Sequence, residues 1–193
     1  DWHQRSAGNG NKMISDVTER YFKPPKDFDS ALWLSQILQG YGIKTGAEFW
    51  RQNMPQSMGC IFWQYNDCWP VASWSSVDYY GRWKALHYMA RRFYSPVLVS
   101  GLENTTNQSV DIYVTSDLLE SSPGELIWEV TDPKGLPLAT GIETLKLPAQ
   151  SSHMVNHLDL RELARKYGAN NLLVWLKVAV PGQPVSENLV TLV

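Results

Sequence analysis

The spacing of apolar residues changes its period at Pro96. Before it, the spacing is helical or irregular. Met13, Ile14, Val17 and Tyr21 mark a short helix that Pro24-Pro25 stops. A second helix is predicted over 28–53, with Asp27 or Asp29 as its N-cap. Leu34, Ile37, Leu38 and Tyr41, then Ala47, Trp50 and Met54, recur at helical spacing, and Pro55 ends the run. Gly40, Gly42 and Gly46 weaken its middle, each by about 1 kcal/mol relative to alanine. Gly59-Cys60-Ile61-Phe62-Trp63 is short, apolar and unbroken, like a strand buried on both faces. A polar and aromatic loop spans Gln64 to Tyr80. A helix is then expected over 82–94, with Trp83, Leu86, His87, Ala90 and Phe93 on one face.

After Pro96 the pattern becomes that of strands. Val97–Ser100, Val110–Val114, Glu125–Val130, Glu143–Leu147, His153–Val155, Leu172–Val178 and Glu187–Thr191 each read as one. Asp132-Pro133-Lys134-Gly135 is a turn, and a helical turn is expected at Asp159–Tyr167. Seven short strands in this length predict an immunoglobulin-like β-sandwich over 96–193, with Trp128 and Trp175 in its core. Residues 1–95 instead read helix, buried strand, loop, helix, the repeat of an α/β fold. A lone strand forms no sheet, so this part is expected to be the end of a larger domain. Asp1 in place of a start methionine agrees with a trimmed or partial chain.

Composition narrows the function. Of 193 residues, 44% are apolar and 19% charged, enough to build a core. The apolar runs are too short for a membrane span. A net charge of −2 offers no basic field for nucleic acid. Cys60 and Cys68 are expected to be buried free thiols, since two cysteines make neither a disulfide framework nor a zinc site. His3, His87, His153 and His157 are scattered, so no metal or cofactor is indicated. Asn104-Thr105-Thr106 and Asn107-Gln108-Ser109 match a glycosylation acceptor pattern and equally suit a polar hairpin turn.

Seven of the nine tryptophans lie in the first 83 residues. Trp63-Gln64-Tyr65-Asn66-Asp67-Cys68-Trp69-Pro70-Val71-Ala72-Ser73-Trp74 sets three indoles among amides and one carboxylate. In parallel α/β folds, ligands sit where strands end. Indoles cover the apolar faces of sugars, and Asn, Gln and Asp bind hydroxyls. The composition suggests carbohydrate; the alternative is a packed aromatic corner. Glu48, three residues before Arg51, has the spacing of a helix-surface ion pair. Asp67 either orients the loop or touches substrate.

The run Trp63–Pro70, with Ser73-Trp74-Ser75-Ser76, Asp78-Tyr79-Tyr80-Gly81-Arg82-Trp83-Lys84 and Leu86-His87-Tyr88, resembles the end of the catalytic barrel in β-mannosidases of glycoside hydrolase family 2. Ser35-Gln36, Gln39, Glu48 and Arg51 fit the helix before that strand. His3-Gln4 and Gly8-Asn9 resemble the loop after the seventh strand. The resemblance implies the last segment of a TIM (β/α)8 barrel over 1–95, with Gly59–Trp63 as its eighth strand, and the sandwich that follows the barrel over 96–193. It implies retaining hydrolysis of a terminal β-mannoside by two glutamates, neither of whose motifs occurs here. Trp63 would floor the sugar subsite, held in a cis peptide as in relatives, and Asn66, Asp67, Trp69 and Trp74 would border it. The implied partners are a β-mannoside oligosaccharide and the remainder of the same polypeptide. A fragment shaping a pocket without performing its chemistry is one expectation. A non-catalytic carbohydrate-binding or structural sandwich module is the other.

Overall fold

The computed structural model describes residues 8–192. Helix α1 spans Gly10–Tyr21, α2 Phe28–Gln52 and α3 Ala85–Phe93. Strands β1 (Val97–Asn104), β2 (Ser109–Ser116), β3 (Ser122–Thr131), β4 (Pro137–Leu147) and β5 (Ser151–Asp159) follow, then α4 (Arg161–Tyr167), β6 (Leu173–Ala179) and β7 (Ser186–Thr191). The described residues up to Ala47 form one compact unit with Cys60–Phe93. Glu48–Gly59 and the residues from Tyr94 onward form the second. Among the described residues no helix is long and apolar enough to cross a membrane.

In the first unit, Asp27 caps α2 by accepting the Ser30 amide at 2.7 Å, and the Ser30 hydroxyl, with this amide, holds its carboxyl below the usual range. The helix passes its glycines unbroken. A Cβ on Gly40 would lie 2.6 Å from Met89 Sδ and 3.4 Å from the Leu86 backbone, so the glycine lets α3 approach closely. Ala47, Leu86, Ala90 and Phe93 form the small core, with Ile43, Cys60, Phe62 and Met89 packed on it.

Gly59–Trp63 departs from the expected strand. Among the described residues it pairs with no other segment, and Ile61 is 96% exposed while Phe62 packs inward. Its apolarity suits burial on both faces, but the described residues supply neighbours for one. Cys68 is likewise exposed rather than buried, and Cys60 only half-buried. The apolar stripe of α1, with Met13, Val17 and Tyr21, faces outward. His3-Gln4 lies outside the described residues.

The second unit is an immunoglobulin-like sandwich of two antiparallel sheets, ordered β1-β2-β5 and β4-β3-β6-β7. All seven expected strands are present. Val174, Leu176 and Val178 point inward between outward Trp175 and Lys177, the period-two pattern of a sheet with one wet face. Val97, Val99, Val110, Ile112 and Val114 meet Leu126, Val130 and the β6 residues in one core. Trp128 packs against this core, and a Cβ on Gly141 would lie 2.4 Å from its ring. Trp175 does not join it. It is 44% exposed on the outer face, its Nε1 donating to Thr131 Oγ1 at 3.0 Å, because its position in the alternation points away from the core. Between β3 and β4, Asp132 Oδ1 accepts the Lys134 and Leu136 amides, and Gly135 adopts φ +82°. Asn104 Oδ1 accepts the Asn107 amide in the β1–β2 turn.

Strand β1 is buried on both sides over Val97–Ser100. Segment Glu48–Gly59 accounts for this. Gln52 Nε2 donates to Ser100 Oγ at 2.9 Å, and Thr115 Oγ1 donates to the Arg51 carbonyl at 3.3 Å. Arg51 donates to the Ser95 carbonyl at 2.7 Å and pairs with Asp117 at 2.6 Å. Glu48 Oε1 accepts from Asn188 Nδ2 at 2.9 Å. Glu48 and Arg51 are therefore buried in a polar seam, at 6% and 8% exposure, and not on a helix surface. At the sandwich edge, β7 side chains replace strand pairing: Ser186 Oγ accepts the Val99 amide, and Asn188 Nδ2 donates to the Val99 carbonyl, each at 2.9 Å.

Near α4, Arg161 forks onto Asp159, with Nε 2.9 Å from Oδ1 and Nη2 2.5 Å from Oδ2. This side-chain bond, reinforced by the Arg161 amide, lowers the Asp159 carboxyl to about 2. The folded carboxyl holds its proton more weakly than the unfolded one. Its contribution to stability is complete above the ordinary 3.8 and is lost as pH falls toward 2. In an NMR titration, the Asp159 carboxyl carbon is expected to turn over near 2, and in Arg161→Gln near its ordinary value.

Candidate functional site

The site is a loop built on one buried residue. Val77 bridges Asn66 on one side and Trp83 on the other. Its amide donates to the Tyr65 carbonyl at 2.8 Å, and its carbonyl accepts the Asp67 amide at 3.2 Å. The Ser76 amide reaches the Gln64 carbonyl at 3.0 Å, and the Lys84 amide reaches the Ser76 carbonyl at 2.9 Å. Hydroxyls complete the frame: Ser75 Oγ donates to the Val77 carbonyl at 2.8 Å and Ser76 Oγ to the Tyr65 carbonyl at 3.0 Å. Both serines are fully buried. Asp78 closes the next turn by accepting the Tyr80 and Arg82 amides and pairing with Arg82 Nε at 2.6 Å. Its carboxyl stays below the usual range, because these bonds outweigh the opposing effect of burial.

On this frame stand the expected residues. Trp63 precedes a cis peptide to Gln64, and its side chain is 72% exposed. Trp69 and Trp74 are 38% and 40% exposed. Asn66 is exposed, with Gln64 Nε2 donating to its carbonyl at 2.9 Å. Tyr65, Trp83, His87 and Tyr88 continue the aromatic surface through ring contacts of 4.4–5.9 Å.

Asp67 is placed differently from the other four. Its side chain is fully buried, and Oδ2 lies 2.5 Å from Lys84 Nζ. The same ammonium donates to the Val71 carbonyl at 2.8 Å and the Ser73 carbonyl at 3.1 Å. Between Ser73 and Ser75 the chain makes a three-residue turn, the Ser75 amide donating to the Ser73 carbonyl at 3.0 Å. Trp74 at its centre has φ +67°. A bulky residue in that region costs about 1–3 kcal/mol and persists only where its surroundings hold it. Gln39 Nε2 supplies one such hold, donating to the Trp74 carbonyl at 2.7 Å.

A family model described as Mannosidase Ig/CBM-like domain matches residues 108–193. Beta-mannosidase A of Aspergillus terreus is 32% identical over 201 residues, covering 97% of this chain and 21% of that protein. Beta-mannosidase of Capra hircus is 38% identical over 129 residues, covering 60% of this chain and 14% of its own length. The chain belongs to the β-mannosidase family. The crystal structure of beta-D-mannosidase from Dictyoglomus thermophilum superposes with TM-score 0.85 at 27% identity, over 96% of this chain and 22% of that one. The chain spans about a fifth of the length of the relatives it matches. The Aspergillus and Dictyoglomus similarities extend well beyond the sandwich, reaching into the tryptophan loop of this β-mannosidase relative.

Two residues of the loop's framework were invisible to composition. Lys84 and Gln39 carry polar groups from α-helical surroundings into the loop, and apart from Asp67 the partners described are backbone carbonyls, which leave no mark in the sequence. The one available signal is Lys84 itself, a cation set between Trp83 and the apolar Ala85-Leu86.

Proposed function

We propose that the chain shapes the sugar pocket of a retaining exo-β-mannosidase of glycoside hydrolase family 2, which removes terminal β-D-mannose from oligosaccharides, glycans or mannosides. Residues 1–95 are the closing part of its catalytic (β/α)8 barrel, and 96–193 are the sandwich that follows. What supports this reading is the similarity to beta-mannosidases over nearly the whole chain, together with a tryptophan-bearing loop whose backbone is fixed from within. A pyranose presents one apolar face, which the Trp63 indole covers, and a ring of hydroxyls, which Asn66 is placed to bind. Trp69 and Trp74 border the same loop.

Retaining hydrolysis uses two carboxyl groups about 5–5.5 Å apart, one as nucleophile and one as acid/base. Neither local candidate suits that role. Asp67 is engaged by Lys84, and Glu48 is bonded to Asn188 within the sandwich unit. The two catalytic glutamates accordingly come from the rest of the polypeptide, and this chain alone is inactive.

The test compares the purified chain with the complete polypeptide on 4-nitrophenyl β-D-mannoside. The complete protein is expected to release nitrophenol with β-mannose as first product, and the chain none. Turnover by the chain overturns the division of labour. A complete protein that cleaves only the galactoside or the glucuronide overturns the sugar assignment.

A further inference from the structure

We propose that Lys84 is a positioning residue for the tryptophan rim: its ammonium gathers the Asp67 carboxylate and the Val71 and Ser73 carbonyls, and so holds Trp69 and Trp74 in the orientation that borders the sugar. The inference rests on the pocket reading for its consequence in activity. The clamp itself is independent of it.

An ammonium has three donors on a compact head. Here three acceptors converge on it at 2.5, 2.8 and 3.1 Å. Lys84 and Asp67 are almost wholly buried, at 5% and 0% of their side chains. A buried charge is tolerated only when paired and hydrogen-bonded, so each of the two requires the other. The carbonyls that Lys84 takes lie between the two rim tryptophans. Val71 follows Trp69 by two residues, and Ser73 opens the turn centred on Trp74. The left-handed conformation of Trp74 needs restraint on both sides. Lys84 provides it at the Ser73 carbonyl and Gln39 at the Trp74 carbonyl. A lysine serving stability alone has no need to grip the two peptides beside the exposed indoles while leaving the indoles 38% and 40% exposed.

The experiment uses the chain labelled with 5-fluorotryptophan. Trp69→Phe and Trp74→Phe assign the two rim resonances in fluorine NMR. In Lys84→Met and in Asp67→Asn, both rim signals are expected to shift or broaden, while those of Trp128 and Trp175 stay in place. Gln39→Leu is expected to move Trp74 alone, and Asp67→Asn decides the matter if Lys84→Met fails to fold. In the complete enzyme, Lys84→Met is expected to raise KM for 4-nitrophenyl β-mannoside by about tenfold or more, with a smaller change in kcat. Rim signals unchanged in a folded Lys84→Met or Asp67→Asn chain, or a loss confined to kcat, would overturn the proposal. If the unsubstituted enzyme cleaves no mannoside, the pocket reading fails and the fluorine spectra still decide the clamp.

Discussion

Asn188→Leu is expected to lower the unfolding free energy of the sandwich unit by about 3 kcal/mol. Asn188 Nδ2 donates to two buried acceptors, the Val99 carbonyl on β1 and Glu48 Oε1 at the end of α2. Leucine is close in volume, so the change removes donors more than packing. The Val99 carbonyl and the Glu48 carboxyl would each lose this donor where water does not reach easily, and a buried acceptor left unsatisfied costs about 1–3 kcal/mol. In thermal denaturation the loss corresponds to a fall of roughly 10 °C. A double-mutant cycle separates the two contributions. In the Glu48→Leu background, Asn188→Leu is expected to cost less than in the unsubstituted chain, because one acceptor has already gone. Strict additivity would show that Glu48 and Asn188 do not act together.

That seam also marks where sequence reasoning stopped. The strands were legible because alternation is a local property. Val174, Leu176 and Val178 identify their face without knowledge of any partner. The Asp132 turn was legible because asparagine-like side chains bond their own backbone. The surface placement expected of Glu48 and Arg51 does not hold, because the same i, i+3 spacing serves a wet helix face and a buried one. Only Asn188, 140 residues away, distinguishes them. Trp175 misled for a related reason. An indole at a strand centre is usually inward, yet here its register sets it between the inward Val174 and Leu176. Gly59–Trp63 failed differently: its sequence suits a strand buried on both faces, and the described residues give it no sheet to join.

In the tryptophan loop, the candidate side chains were legible by type and the support beneath them was not. Trp63, Asn66, Trp69 and Trp74 announce themselves by type. The Val77 hub and the Lys84 clamp bind backbone atoms, which every residue carries. Asp67 shows the consequence. Its chemistry alone allowed substrate contact or loop support, and only the 2.5 Å approach of a buried ammonium favours support.

Trp63→Ala carries the largest expected effect on activity. An indole brings about 150–250 Å² of apolar surface. If roughly half of it covers a bound pyranose, contact at about 25 cal/mol per Å² amounts to roughly 2–3 kcal/mol. In the complete enzyme that corresponds to a loss of about 30- to 150-fold in kcat/KM for a mannoside. Trp63→Phe, which keeps part of the flat surface, is expected to lose roughly tenfold or less. The stability of the isolated chain should barely respond. The side chain is 72% exposed, and substitutions at such positions stay within about 0.5 kcal/mol. This contrast separates a sugar platform from a packing residue. A substitution that unfolds the chain would mark Trp63 as structural, whereas one that leaves both stability and kcat/KM intact would remove it from the pocket.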